Sequence, residues 1–228
     1  MERDKEALVK DVVVLVPTLG RPHHIEPLLN SLYATTDRAS VLFLTTRGDH
    51  DAVQAIKNAG ERHINVEKRK LGDYARKINA GYKATDEPYM FLAATDLIFH
   101  DDWLDNALNK MTRTIQVVGT NDLGNIRVIR GEHSTHTMVS RYYCDTFGTV
   151  DERNHVLYEG YPHEYVDDEF VQTAKCRNAF DMAMDSVVEH IHPAWGKAKW
   201  DASYKAVDKR LEDGYRIYRR RRKLWTQL

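Results

Sequence analysis

The sequence predicts an α/β fold: an open, mostly parallel sheet with helices on both faces. Three observations carry this. Continuous aliphatic runs recur, as strands buried on both faces of a parallel sheet require. Stretches with apolar residues at helical spacing separate them. The runs also close in polar residues, at Pro17-Thr18, from Thr45 to Asp49, and at Thr95-Asp96. Ligands of such sheets bind beyond the carboxyl ends of the strands.

The elements follow in order. DVVVLVPT (11–18) is a buried strand closed by proline, and Ile25, Leu28, Leu29 and Leu32 then mark a helix. VLFLTT (41–46) is the second strand, and DAVQAIKNAG (51–60) is a helix whose final Gly60 suits a C-terminal cap. HINVEKR (63–69) is a short strand, and GDYARKINAGYKATD (72–86) is a helix with Asp73 near its N-cap. YMFLAAT (89–95) is the fourth strand. Asp101 reads as the N-cap of a helix bearing Leu104, Ala107, Leu108 and Met111. The second half is less regular. Residues 127–165 carry five Tyr and four His among strand-like pieces and turns. VDDEFVQTAKCRNAF (166–180) is helical, SVVEHIHP (186–193) is a strand ending in histidines, and a long helix runs from about Trp200 to Trp225.

The bulk properties bound the function. A chain of 228 residues, 42% hydrophobic and 29% charged, can bury one sizeable core. It has no apolar run near the roughly 20 residues of a membrane span. The charged start MERDKEALVKD has no signal-peptide core, and Cys144 and Cys176 read as reduced thiols, so a cytoplasmic location is expected. There is no internal repeat and no low-complexity linker. Net charge is −1, but six of the 33 basic residues (Arg216, Arg219, Arg220, Arg221, Arg222 and Lys223) fall in the last 13 residues, which contain no acid, leaving a body of −7. That tail is a solvated helix end, or a contact for DNA phosphates or an acidic protein surface.

Neither G-x-G-x-x-G nor G-x-x-x-x-G-K-[ST] occurs, so a bound nucleotide would need another phosphate device. Bridging of a diphosphate by a hard cation on carboxylate oxygen, with imidazole tolerated by manganese, is one. Asp96, at a strand end in FLAATDLIFHDDWL, is either such a ligand or a turn residue; Asp101 and Asp102 suit a helix start. In EHIHP, His190 and His192 share one side of a strand. In YPHEYVDDEF, Asp167, Asp168 and Glu169 are either dipole-favoured helix-start acids or a source of a general base.

Five ordered pieces give the chain a recognisable likeness: VVVLVPTLGRPHHIEPLLNSL, KLGDYARKINAGYKATDEPYMFLAATDLIFHDDWL, HTMVSRYYCDTFG, YPHEYVDDEF and VEHIHPAWGKAKWDASY. Over roughly 11–205 the chain resembles GT-A-type glycosyltransferases, most closely the inverting family-two group with its small phage and bacterial forms. The resemblance implies a Rossmann-like open mixed sheet flanked by helices. It implies one domain, 1–228, with a nucleotide-sugar half (1–125), an acceptor-side half (126–198) and a basic terminal helix (199–228). Pro17, Thr18 and Arg21 would line the base pocket, Arg47, Gly48 and Asp49 would meet the base or ribose, and Gly72, Arg76 and Asn79 would pack beside the nucleotide. Asp96, preceded by Thr95, matches the last acid of the metal-binding D-x-D, whose first acid is replaced by Ala94. His192, or His190, would complete a site for Mn2+ or Mg2+. Asp167 best matches the inverting base, with Asp168 and Glu169 as rivals, and His136, His163 and Tyr165 fall on the acceptor side.

The implied reaction is transfer from a nucleotide-diphosphate sugar, UDP-sugar favoured, to a hydroxyl. The acceptor is a protein Ser/Thr, such as one on a phage structural protein, or a hydroxylated DNA base. Oligomeric state stays open, a homo-oligomer included. Two rivals remain. A pyrophosphorylase should carry a Gly-rich, Arg/Lys-containing loop where PTLGRPHH has one Gly and one Arg; a catalytically degenerate sugar-nucleotide or glycan-binding module would explain the incomplete D-x-D.

Overall fold

Val12–Pro17 forms strand β1, with every residue but Pro17 buried. Its alternation explains why the run is aliphatic throughout. Val12, Val14 and Val16 enter one core with Ile25, Leu28, Leu32, Ile56 and Trp103, whereas Val13 and Leu15 enter a second with Ile78, Tyr82, Tyr143 and Phe170. The computed structural model describes residues 10–69 and 72–228. The charged stretch 1–9, and Lys70 and Leu71 at the head of the second quoted piece, lie outside the described residues.

Around β1 the sheet grows in both directions. Parallel strands β2 (Ala39–Thr46) and β3 (Arg62–Val66) lie on one side and β4 (Tyr89–Leu92) on the other. Beyond β4, β7 (Thr137–Ser140) runs antiparallel, followed by β6 (Val117–Asn121), then β8 (Phe180–His190) parallel to β6. A short β5 (Leu97–Phe99) pairs antiparallel with β8 and closes the order β3-β2-β1-β4-β7-β6-β8-β5. This is an open, mixed, eight-stranded sheet. Helices α1 (Ile25–Thr35), α2 (His50–Asn58) and α4 (Trp103–Leu108) belong to the first core, while α3 (Tyr74–Lys83), α6 (Arg141–Thr146) and α7 (Val166–Cys176) belong to the second. A one-turn α5 (Ile126–Ile129) follows β6. As expected, Gly60 follows α2 at φ +75° and donates its N–H back to Lys57.

Several boundaries differ from the sequence reading. The fourth strand stops at Leu92, and the separate β5 was not anticipated. The N-cap of α4 is Asp102, at φ 60°, rather than Asp101. Asp73 is the α3 N-cap residue but makes no side-chain cap, because its carboxylate pairs with Arg76. The C-terminal strand begins at Phe180, not 186. A bulge opposite Thr120/Asn121 shifts its register, and that phase slip hides the alternation a sequence reader looks for. The long terminal helix is two: α8 (Ala202–Asp208) and α9 (Leu211–Trp225), parted at Lys209-Arg210. The break lets Tyr204 of α8 reach Asp96, just before β5, while α9 lies along α7.

Among the described residues no helix is long and apolar enough to cross a membrane.

Candidate active site

The β5–β8 pairing builds the first cluster. Leu97 sits opposite His190, and Ile191 donates its N–H to the Asp96 carbonyl at 2.8 Å, so Asp96 and His190 are brought side by side. Asp96 is buried, and its Oδ2 lies 3.5 Å from His190 Nε2, 3.6 Å from Arg21 Nη1 and 2.7 Å from the Tyr204 hydroxyl, which donates to it. Burial alone would raise this carboxyl. The hydrogen bond and charge of His190, with Tyr204 and His136, instead hold it far below the usual carboxylate range.

Two more imidazoles stand beside His190. The His136 ring is 4.8 Å away, edge to face, and the His192 ring is 4.9 Å away. Burial and the neighbouring His190 push both down to about 4, so both are neutral near pH 7. His136 Nδ1 faces the Leu92 carbonyl at 3.3 Å, and its Nε2 is buried with no partner, as is His190 Nδ1. His192 Nδ1 accepts from the Ala194 N–H at 3.1 Å, leaving Nε2 as that ring's other nitrogen. The sequence reading put His136 on the acceptor side; the structure sets it against His190 because β7 is inserted beside β4.

Helix α8 covers this cluster. The Arg21 guanidinium stacks on the Tyr204 ring at 3.7 Å and pairs with Asp201 at 3.0 Å, while His192 meets the same ring edge to face at 4.7 Å. Neither Asp201 nor Tyr204 was singled out by the sequence, whose helix signal ran straight through α8.

The ends of β1 and β2 converge as expected. The Gly20 N–H donates to Asp49 Oδ2 at 2.7 Å, and Asp49 also caps α2 through Ala52. Gly20 and Gly48, at φ +65° and +92°, turn the chain there. Thr18 is buried with an unpartnered hydroxyl. Beneath it, buried Lys77 donates to the Thr18 carbonyl at 2.7 Å, and desolvation lowers its ammonium to about 8. The sequence reading passed over Lys77 because it stands between Arg76 and Asn79, the residues the family pattern marks.

Other expected contacts take structural positions. Arg47 is exposed and pairs with Glu67. Arg76 bonds Asp73 and the Glu67 carbonyl. Asn79 is buried, donating to the Leu157 carbonyl at 2.8 Å and to Glu159 at 3.1 Å and accepting from the N–H groups of Val156 and Leu157. Gly72 lies so close to Pro162 that a Cβ would fall 1.3 Å from its carbonyl oxygen, so this glycine is a packing requirement. Thr95 is buried beside Asp96.

The second cluster opens α7. Asp167 Oδ2 meets His133 Nε2 at 3.1 Å, and Arg127 Nη2 donates to Asp168 at 2.7 Å. His133 and these two aspartates bring one ligand atom each within 4.8 Å of one another, an arrangement that could also hold a cation. Burial would raise Asp167, but His133 holds it below its ordinary value; Asp168, next to that charge, is raised by burial and by Asp167. Glu169 points elsewhere. It is buried, accepts from the Tyr161 hydroxyl at 2.8 Å, and forms a two-point pair with Arg221, which also holds Asp151. Arg221 is therefore an internal clasp between α9 and α7, and the other five tail cations are exposed. Tyr165, at φ 69°, packs on Tyr215 and Tyr218 of α9. Glu164, which the sequence reading did not mark, is pushed up to about 7 by burial and by Asp167, Asp168 and Asp208.

Tyr74 and His163 link the two clusters. Their rings meet edge to face at 5.6 Å, and each feels the charges of both Asp96 and Asp167. Burial and both carboxylates raise the Tyr74 phenol, while burial lowers His163 against the pull of the same two acids. Both carboxylates thus lie within electrostatic reach of one aromatic pair.

No protein-family model and no curated protein matches the sequence. In three dimensions the chain is similar to the mannosyltransferase from Pyrobaculum calidifontis in complex with GDP-Man and Mn2+ (TM-score 0.60, 16% identity, covering 81% of this chain and 57% of that one). It is similar, too, to glucosyl-3-phosphoglycerate synthase from Mycobacterium tuberculosis in complex with Mn2+, UDP and glucosyl-3-phosphoglycerate (0.58, 15%, 79% and 72%). The same synthase with Mn2+, UDP-Glc and phosphoglyceric acid gives 0.59 at 14%, covering 86% and 75%. The chain spans 57% of the mannosyltransferase's length. At such identities the likeness establishes architecture, and the architecture is the GT-A glycosyltransferase fold.

Proposed function

We propose that the chain is a metal-dependent glycosyltransferase that moves a sugar from a nucleoside-diphosphate sugar, UDP-sugar favoured, to a hydroxyl acceptor with inversion. The observation that carries this reading is the placement of Arg21 and His190 within 3.6 Å of the buried Asp96 carboxylate, with the His136 and His192 rings packed on His190, at the carboxyl end of a GT-A sheet. The donor set suits a hard or borderline cation: one carboxylate held ionised, His136 and His192 held neutral, and buried ring nitrogens of His136 and His190 without partners. Asp96 with His190 or His192 would hold Mn2+ or Mg2+, which supplies Lewis-acid charge for the departing nucleoside diphosphate.

The remaining roles belong to the chain. Arg21 would bind diphosphate oxygens, and Asp201 must first release it. Lys77 and Asp49, at the ends of β1 and β2, would frame the nucleoside with Pro17, Thr18, Arg47 and Gly48. Asp167 would accept the proton of the acceptor hydroxyl, because 31% of its side chain is exposed, whereas Asp168 is 11% exposed and tied to Arg127 and Glu169 is 4% exposed and tied to Arg221. Residues 1–125, 126–198 and 199–228 would act as donor half, acceptor half and cover of one domain. A protein Ser/Thr hydroxyl, as on a phage structural protein, is the preferred acceptor and a hydroxylated DNA base the alternative, read by the exposed cations of α9.

The test is a donor panel of UDP-glucose, UDP-galactose, UDP-GlcNAc and GDP-mannose with Mn2+, scored for nucleotide release. Turnover that needs Mn2+ supports the transferase. Binding of a sugar nucleotide without turnover, with any acceptor, leaves a binding module instead.

A further inference from the structure

Asp167 has a buried histidine neighbour. His133 sits in the turn between α5 and β7, with 2% of its side chain exposed, and its Nε2 lies 3.1 Å from Asp167 Oδ2. We propose that His133 is the positioning residue of Asp167, fixing the carboxylate in one rotamer and one charge state for proton removal from the acceptor. The inference rests on the reading of Asp167 as the general base.

The turn that carries the ring is tied down, and Asp167 is the ring's one hydrogen-bond partner, since Nδ1 is buried without one. Ser134 is fully buried, donates to the His136 carbonyl at 2.7 Å and accepts from Thr137 at 2.9 Å. Gly119 admits Ser134 so closely that a Cβ there would lie 2.7 Å from the Ser134 Cβ. Lys175, near the end of α7, donates to the Glu132 carbonyl at 2.7 Å and ties the turn to the helix that carries Asp167. The histidine therefore has little freedom relative to its partner.

Proton bookkeeping fixes the direction of the hydrogen bond. An ionised carboxylate only accepts, so Nε2 carries the proton and donates. The groups facing His133 are Asp167 and Asp168 from α7 and Arg127 from α5. Burial lowers the imidazole, but the Asp167 bond and the two carboxylates outweigh it and raise the ring above its ordinary value. Arg127 occupies Asp168, so the adjacent acid is not free to compete for the ring. Asp167 keeps 31% of its side chain open to solvent, where a hydroxyl can approach. A base oriented by a buried third group is a recurring arrangement in acid–base sites.

The experiment compares Asp167→Ala, His133→Ala and His133→Gln with the wild type, using the donor and acceptor that turn over. It reads kcat, donor KM, the pH dependence of kcat and the anomeric configuration of the product. Loss of a supporting partner costs about 10–100-fold, so His133→Ala should lower kcat by that factor with donor KM nearly unchanged. Its acid limb should move to higher pH, because the hydrogen bond and charge of His133 no longer offset burial at Asp167, leaving only backbone N–H groups to do so. In His133→Gln an amide can donate but carries no charge, so part of the rate should return while the acid limb stays displaced. Melting curves with and without UDP check folding; if His133→Ala does not fold, the displaced limb of His133→Gln decides. The proposal is overturned if Asp167→Ala abolishes transfer while the His133 variants keep wild-type kcat and pH limb; the base assignment then survives without it. Transfer retained by Asp167→Ala, or a product of retained configuration, removes the base assignment and this inference together. Calorimetric Mn2+ binding lost in His133→Ala but kept in Asp96→Ala would make the His133 group a cation site, and also overturns it.

Discussion

Asp96 and Asp167 are both carboxylates held below their ordinary range by a histidine, yet their surroundings differ. Asp96 is enclosed: one imidazole and one guanidinium stand within 4 Å of Oδ2, a phenol donates to it, and 5% of the side chain is exposed. Asp167 has one histidine and is 31% exposed. A carboxylate closed off from solvent and surrounded by ligand-type nitrogens is suited to hold charge in place. One with a single buried partner and an open flank is suited to exchange a proton. On that difference the proposed function assigns binding to one carboxylate and catalysis to the other, though both are depressed by the same kind of neighbour.

Substitutions at the two positions should separate rate from affinity. The largest effect is expected for Asp167→Ala, which should lower kcat by about 10²–10⁴-fold, the usual contribution of general-base help, with UDP-sugar affinity intact by calorimetry. Asp96→Ala should do the reverse, weakening Mn2+ and donor binding by at least the roughly 10–100-fold seen when a supporting partner of a metal site is lost. A Mn2+-dependent dissociation constant equal to wild type in the Asp96 variant would erase the contrast.

Glu164 sharpens the Asp167 side. Its carboxyl, held at about 7 against an ordinary 4.5, keeps a proton in the folded protein that the unfolded chain has released. Stability linked to that proton is full below pH 4.5 and is lost as pH rises through 7. Glu164→Gln removes the dependence, so the variant should gain on the wild type between pH 5 and 7.5 by about 1–3 kcal/mol, read as a Tm difference of several degrees. Parallel Tm curves would show that Glu164 is not perturbed by its acidic neighbours. The smallest effect is expected on the other side, where Tyr204→Phe deletes the hydroxyl that occupies Asp96. The variant should bind Mn2+ and donor about threefold to tenfold more tightly, the worth of one exchanged hydrogen bond. An unchanged affinity would mean that the phenol does not compete with ligand.

The first half of the fold was legible because its strands are buried on both faces and read as unbroken aliphatic runs; β1, β2 and α2 fall within two residues of expectation. The strand β5 was not legible: three residues, one of them exposed, leave no period to detect. The bulge in β8 hid six residues of strand in the same way. At the candidate site, Asp96 and His190 were marked by their places at strand ends and Arg21 by the resemblance alone, as a base-pocket residue; the structure sets Arg21 against Asp96 and Asp201 instead. His133, Lys77 and Tyr204 were not marked, since their meaning lies in what they touch. Asn79 and Glu169 matched a family pattern, and the structure occupies them with Leu157 and Arg221 respectively. A motif records which residue recurs, not which of its atoms are already engaged.

The pairing of β5 with β8 also bears on how the protein folds. Asp96 and His190 are separated by 94 positions in the chain, and their meeting depends on a ladder of three residues at the far edge of the sheet, beyond β7, β6 and β8. Closing so distant a contact is entropically costly and slow, so a ribosome that has not yet released residue 190 carries a nascent chain with half of this cluster and no counterpart for it. Any ligand that needs both residues can then reward only the finished sheet, and cannot rescue an early intermediate.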